Sequence, residues 1–421
     1  MPEAATARAA PGERLLERAA ALALHSDAAD HYTRTYLTPA HRAAARQIEE
    51  WMRAAGMATR VDAVGSVIGR YEAAAPGART LLMGSHFDSV RNGGRYDGVL
   101  GILVPIACVA ELAGRRERLP YAIEVAAFAD EEGARFQTSF LASRALVGRF
   151  DPSWLERRDG DGITLAEAMR AAGLDPARAA DARIDTAALG AYVEVHIEQG
   201  PVLLGEGRAL GVVTTIAGGT RHTLRVRGTA GHAGTVPMAM RHDALAAAAE
   251  MVLAVEQRCG VGGTLVGTVG ILKVRDGTGN VIPGEVEFSA DIRAGDDATR
   301  EAAERDVFAR CEEIARRRGV ALERMRTHHV HAVPCAAWLQ DAIADAIEKS
   351  GAEPPGGTAR RLPSGAGHDA MILAEVTGVG MLFVRCGAGG VSHNPAETIA
   401  AGDGAAAQAA LLHFLRALRF P

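Results

Sequence analysis

The 421-residue sequence has no paired cysteine spacing, no long apolar run and no excess of basic charge. Each absence removes a class of protein. The five cysteines (Cys108, Cys259, Cys311, Cys335, Cys386) are scattered without a CxxC pair. That pattern points to reduced thiols in a cytoplasmic protein and speaks against a thiolate metal site. No uncharged apolar stretch approaches the ~20 residues of a membrane span, so no membrane partner is expected. The chain does not open on a charged-then-apolar leader, and its first dozen residues read as an Ala/Pro/Glu tail. A net charge of −5 and a pI near 6.3 argue against nucleic acid as a partner. The short run Arg316–Arg318 reads as the solvated end of a helix, where the dipole favours cations. Internal repeats and low-complexity linkers are also missing.

What is present is a globular composition, 48% hydrophobic and 23% charged. The length exceeds one ordinary core, which implies two domains. Thr38 and Pro39 suit an N-cap and first turn, Ile48, Trp51, Met52 and Ala55 share a helical face, and Gly56 ends it. Apolar runs at Thr80–Met83, Ile123–Ala129 and Tyr192–Ile197 alternate with helical stretches such as Leu100–Leu112. This predicts an α/β domain with a mainly parallel sheet. From Gly211 the pattern becomes a strand at Thr223–Gly228 and a helix over Asp243–Arg258. Strands at Thr264–Val274 and Glu285–Arg293, a helix over Ala298–Arg318 and a strand after Val320 follow. The order β-α-β-β-α-β is ferredoxin-like. Helix Ala336–Lys349 and strand Gly380–Val384 then resume the first style. The expected layout is an α/β domain in two parts, 1–210 and 331–421, with an α+β domain inserted at 211–330.

Histidines and acids collect where these strands end. Leu81–Met83 leads into Gly84-Ser85-His86-Phe87-Asp88, and Ile123–Ala129 into Asp130-Glu131-Glu132-Gly133. Tyr192–Ile197 carries His196, and Gly380–Val384 leads to Ser392-His393-Asn394-Pro395. Ligands of open α/β sheets gather beyond the carboxyl ends of strands, so these endings can share one crevice. Asp97 adds an acid in a glycine-rich loop, Gly93-Gly94-Arg95-Tyr96-Asp97-Gly98. Three histidines with Asp and Glu form a nitrogen/oxygen set suited to Zn²⁺, Mn²⁺ or Co²⁺, and Asp97 is the natural bridge between two ions. Of the adjacent Glu131 and Glu132, one can bind metal while the other serves as general base. Asp88 is placed to orient the His86 imidazole. Each residue alone reads more simply as structural; their recurrence at successive strand ends argues for a metal centre, since buried charge is rare unless paired or metal-bound.

At these residues the chain resembles the zinc-dependent amidohydrolases that include allantoate amidohydrolase, N-carbamoyl-L-amino-acid hydrolase and β-ureidopropionase, within the aminoacylase-like metallopeptidases. The blocks GSHFDS, GGRYDG, DEEGARF, HIEQGP, GHAGTVPM, NVIPG, SGAGHDA and SHNPAE carry the likeness across nearly the whole chain. The resemblance implies a zinc-exopeptidase-like catalytic domain and a lid domain through which the protein forms a homodimer. It implies two divalent ions per subunit, one on His86, Asp97 and His196, the other on Asp97, Glu132 and His393. Glu131 becomes the general base and Asp88 the orienter of His86. Gln199, His232, Asn280, Arg293 and, more weakly, Gly367 match substrate contacts, with His232 serving the partner's active site. By themselves, Arg293 reads as a solvated edge charge and His232 and Asn280 as turn residues.

The implied reaction is hydrolysis of a ureido C–N bond in a small carboxylate, with His232 helping to polarise the carbonyl and closure of the lid excluding water. The stretch Leu37–Met57 with Val61–Gly65 is more like the allantoate branch, a purine-catabolic activity. N-carbamoyl-L-amino-acid hydrolysis is the alternative; a metallo-dipeptidase or a binding protein that keeps the cleft is more distant. Arg385-Cys386 departs from the Pro-Ser usual in relatives, which allows Arg385 either to alter substrate charge preference or to face solvent.

Overall fold

A computed structural model describes residues 10–352 and 357–421. Residues 1–9 of the expected Ala/Pro/Glu tail lie outside the described residues, and its last positions belong instead to a helix, Pro11–Ala23. The chain divides into two compact units, one of residues 1–214, 335–362 and 368–421, the other of residues 215–334 and 363–367.

The sheet of the first unit is parallel at its centre. Four strands, Ala122–Phe128, Thr80–His86, Leu189–Ile197 and Val379–Val384, lie side by side in that order. All three ladders between them are parallel. Register sets His86 opposite Phe128 and His196 opposite Phe383, so the four carboxyl ends finish together. Val67–Tyr71 and Ala58–Val61 extend one side in antiparallel pairing. Both faces are covered, which is why the central strands are buried at almost every position. Helix Leu100–Gly114 is apolar on nearly all sides because it runs through the interior, and it tolerates Pro105 there. Helix Ala401–Ala417 packs on it and on Pro11–Ala23 and Ala337–Lys349.

The second unit is antiparallel. Its strand order is Leu272–Val274, Glu285–Ala294, Gly218–Arg227, Ala321–Val330. Helices Ala244–Cys259 and Asp297–Arg318 pack on one another and on this sheet, around Val226, Met251, Phe288, Ile292 and Val307. The element order is β-α-β-β-α-β. The expected strand Thr264–Val274 is broken: Val266–Thr268 and Leu272–Val274 both pair with Glu285–Ala294, and the chain between them leaves the ladder around the exposed Gly270. Against the expected 211–330, the unit starts at Thr215, ends at Pro334 and takes in Pro363–Gly367 as well. There Ser364 O accepts from Ala217 N at 2.9 Å and Gly365 O from Arg293 Nη1 at 2.9 Å.

The cationic end of Asp297–Arg318 is not simply solvated. Arg317 and Arg318 both close on Glu250 of the neighbouring helix, with Arg318 Nε 2.8 Å from Glu250 Oε1.

Candidate metal centre

Asp97 sits at the middle of the cluster. It is 7% exposed and its two carboxylate oxygens face different imidazoles. Oδ1 lies 3.2 Å from His196 Nε2 and 3.6 Å from His86 Nε2, while Oδ2 lies 3.1 Å from His393 Nε2. His393 Nε2 is also 3.4 Å from Glu132 Oε1. Donor atoms of His86, Asp97 and His196 fall within 4.8 Å of one another, as do those of Asp97, Glu132 and His393. Two donor sets that share one aspartate suit a pair of divalent ions bridged by that carboxylate, and the imidazole–carboxylate chemistry fits borderline ions such as Zn²⁺ or Mn²⁺.

The loop that carries Asp97 is held by a residue three hundred positions away. Glu397 is buried and accepts from Tyr96 N at 2.9 Å, Asp97 N at 3.1 Å and Ser392 Oγ at 2.7 Å. Gly94 is required beneath it, because a Cβ there would fall 2.0 Å from the Glu397 carboxyl carbon. Gly98 adopts φ +67°, and a Cβ on it would lie 2.4 Å from His86 O.

Asp88 joins two strand ends. Its carboxylate accepts from the backbone N–H groups of Glu131 (3.1 Å) and Glu132 (3.2 Å), and its Oδ1 lies 3.4 Å from His86 Nδ1. The Glu131–Glu132 backbone is thereby fixed beside His86. Glu131 is 8% exposed. Burial drives its carboxyl well above the ordinary carboxylate value, with the charges of Glu132, Asp369 and Asp88 adding to the rise and His86 opposing it. For Asp97, burial pushes upward but the three imidazoles outweigh it and hold the carboxyl well below its usual range. Hydrogen bonds to Asp97 and Glu132 push His393 up to about 10. The carboxylates around these imidazoles favour positive charge there, which is where divalent charge fits.

Gln199 reaches the same carboxylate, with Nε2 3.1 Å from Asp97 Oδ2 and 3.3 Å from Ser392 Oγ. Gln199 and His393 both occupy the left-handed region, at φ +55° and +53°, a backbone cost that is often met where side chains are aimed at a site. His232 and Asn280 are neighbours in the second unit. Strand Gly231–His232 pairs with Val281–Ile282, Ala233 N donates to Asn280 O at 2.9 Å, and His232 is exposed. Arg293 alternates with the buried Ile292, yet its fork is already engaged: Nε and Nη2 reach Asp291 at 2.9 and 3.1 Å. Gly367 belongs to the segment that folds onto the second unit.

Arg385 does neither of the two things expected of it. It forms a two-point ion pair with the buried Asp403, at 2.9 and 2.7 Å, so its charge is spent at the start of helix Ala401–Ala417. Sequence reasoning also passed over Glu194, His368 and Glu397. Donor atoms of Glu194 and His368 lie within 4.8 Å of one another and of His196, and the His368 and His196 rings meet edge to face at 4.4 Å. His368 and Glu397 stand inside the blocks SGAGHDA and SHNPAE, which was the available signal.

A parallel α/β sheet that gathers histidines and carboxylates around a shared aspartate at its strand ends defines the class of metal-dependent hydrolases. Within that class, residues 80–417 match the family described as Peptidase family M20/M25/M40, and the chain belongs to it. It is 41% identical over 416 residues to an allantoate deiminase of Arabidopsis thaliana, covering 93% of this chain and 79% of that one. It is also 41% identical over 403 residues to an N-carbamoyl-L-amino acid amidohydrolase of Geobacillus stearothermophilus, covering 96% and 97%. The crystal structure of a hydantoinase/carbamoylase family amidase from Burkholderia multivorans superposes with a TM-score of 0.88 at 31% identity, covering 96% and 97%.

Proposed function

We propose that the protein is a metal-dependent amidohydrolase that cleaves a C–N bond of a ureido compound, allantoate first among them, releasing ammonia and carbon dioxide. The observation that carries this reading is the division of the Asp97 carboxylate between two donor sets beside the buried Glu131 carboxyl. His86, Asp97 and His196 would hold one ion and Asp97, Glu132 and His393 the other. Bound there, divalent ions acidify water and polarise a carbonyl oxygen.

The chain's own groups supply the remaining chemistry. Glu131 takes a proton from the attacking water and returns it to the departing nitrogen, a task suited to a carboxyl whose affinity for protons is raised. Asp88 acts as a positioning residue, since it fixes His86 and the Glu131 backbone together. Gln199 is assigned to substrate contact beside Asp97, and His232, Asn280, Arg293 and Gly367 to further substrate contacts by family resemblance. Three of the five Arg293 N–H donors are engaged, two on Asp291 and one on Gly365 O, which leaves one on each Nη for a substrate carboxylate.

We assign homodimer formation to the second unit. Ala321–Val330 is the last strand on its side of the sheet and is exposed at nearly every position, an edge that a second copy would cover. Free, buried cysteines and the absence, among the described residues, of a helix able to cross a membrane fit the cytoplasmic assignment.

The test is ammonia release by Mn²⁺- or Zn²⁺-reconstituted protein from allantoate beside a panel of N-carbamoyl-L-amino acids. Preferential turnover of allantoate is expected; preference for a carbamoyl amino acid would move the protein to the other branch with the same site. Glu131→Gln should lower turnover by ~10²–10⁴-fold with metal content unchanged. Retained turnover would remove Glu131 from its role.

A further inference from the structure

Arg34 is wholly buried and, among the described residues, no carboxylate pairs with it. Its partners are main-chain carbonyls. Nε donates to Phe87 O at 2.6 Å, and Nη1 donates to Leu22 O at 2.9 Å, at the end of helix Pro11–Ala23. Nη2 has no partner. A cation taken out of water without a counter-charge is costly, and hydrogen bonds to carbonyls offset only part of that. Stability is therefore a poor account of this side chain; the place at which it fixes the chain is a better one.

That place is the turn after strand Thr80–His86. Phe87 stands between the candidate ligand His86 and Asp88, and both of its main-chain polar atoms are held. Its N donates to Phe128 O at 3.0 Å, and its O accepts from Arg34. Further bonds from the same segment hold the chain that leads on to Asp97. Arg34 N donates to Ser89 Oγ, and Ser89 N donates to Arg34 O, each at 2.9 Å. Asn92 N donates to Thr33 Oγ1 at 2.9 Å, and Gly93 N donates to Tyr32 O at 3.0 Å. Residues 32–34 thus brace the stretch from Phe87 to Gly93, as Glu397 braces Tyr96 and Asp97. Asn92 keeps a left-handed φ of +53° within this brace, a conformation that persists in a non-glycine residue where its surroundings over-determine it.

We propose that Arg34 is a positioning residue for the ion assigned to His86, Asp97 and His196, because it fixes the turn from which the His86 imidazole is aimed. Of the two donor sets, only this one includes a residue adjoining the peptide that Arg34 holds. The inference rests on the metal-centre reading given above.

The experiment uses crystals of the full chain, freed of metal and equilibrated with Zn²⁺ at graded, chelator-buffered concentrations. Anomalous scattering then gives the occupancy of each position separately. The unsubstituted protein is compared with Arg34→Met, which is close in volume and has no donor, and with Arg34→Lys, which keeps the charge but presents one nitrogen in place of a fork. If Arg34→Met does not fold, Arg34→Lys carries the comparison. The expected result is at least ~10-fold weaker binding on the His86/His196 side in Arg34→Met, a smaller loss there in Arg34→Lys, and clearly less change on the Glu132/His393 side. Affinities like those of the unsubstituted protein in every variant that folds overturn the proposal. Equal weakening at both positions also overturns it, since general loosening of the fold would produce that. An unsubstituted protein that takes up no ion contradicts the metal-centre reading itself, and the inference with it.

Discussion

Folding places the Asp97 carboxylate among three imidazoles, in surroundings where burial alone would favour its neutral form. The imidazoles reverse that preference, and a carboxylate kept charged and shared is what two neighbouring cations need. His41 shows the opposite outcome of burial. Its ring stacks on Phe87 at 4.3 Å and its Nε2 lies 2.7 Å from Ala129 O, which ties the ends of two central strands together. Burial lowers its pKa from 6.5 to about 4. The unfolded chain therefore takes up a proton near pH 6.5 that the folded chain refuses until about 4. Stability contributed by the neutral ring is complete above pH 6.5 and falls by about 3 kcal/mol as pH drops through that window. His41→Leu should be less stable at pH 7.5, by about 1–3 kcal/mol for the unpaired Ala129 carbonyl and altered packing. It should also lose less stability than the unsubstituted protein between pH 7 and 5. Urea midpoints at the two pH values check this, and equal losses in both proteins would contradict it.

Elements matter here chiefly through their ends. Helix Pro39–Ala54 starts where Thr38 accepts from His41 N at 3.2 Å and Pro39 fills the first turn, so the helix start also sets His41. Thr38→Ala should cost about 1 kcal/mol, read as a shift in urea midpoint without loss of metal. Gly98 lies just before helix Leu100–Gly114, in a left-handed conformation against the His86 backbone. Gly98→Ala carries about 1–2 kcal/mol of backbone strain before the collision with His86 is counted. The expected result is a lowered melting temperature together with reduced metal content. A variant that keeps full metal occupancy would show that the loop has room that the geometry denies.

Across the whole molecule, the parts legible in the sequence were those written locally. Each candidate ligand except Asp97 follows an apolar run that could be read as a strand, and parallel register brings those ends together. Asp97 was legible through the glycines that flank it. Pairings outside one element were not: Glu397 under Gly94 depends on how a late segment packs against an early one, and Arg385 with Asp403 on how the loop after a strand returns to the next helix. Alternation in Glu285–Ala294 placed Arg293 on the polar face, but nothing local revealed that Asp291, two residues earlier on that face, would hold its guanidinium. The break inside Thr264–Val274 escaped for a similar reason, because the length of each half is set by the partner strand.

The most direct test of the two-ion reading is the anomalous scattering of crystals grown with Zn²⁺ or Mn²⁺, taken for the unsubstituted protein and for Asp97→Asn. Two peaks per chain are predicted, one on the His86/His196 side of Asp97 and one on the Glu132/His393 side, with loss of at least one in the variant. A single peak, or two that persist without the Asp97 carboxylate, would contradict the shared bridge on which the proposed chemistry rests.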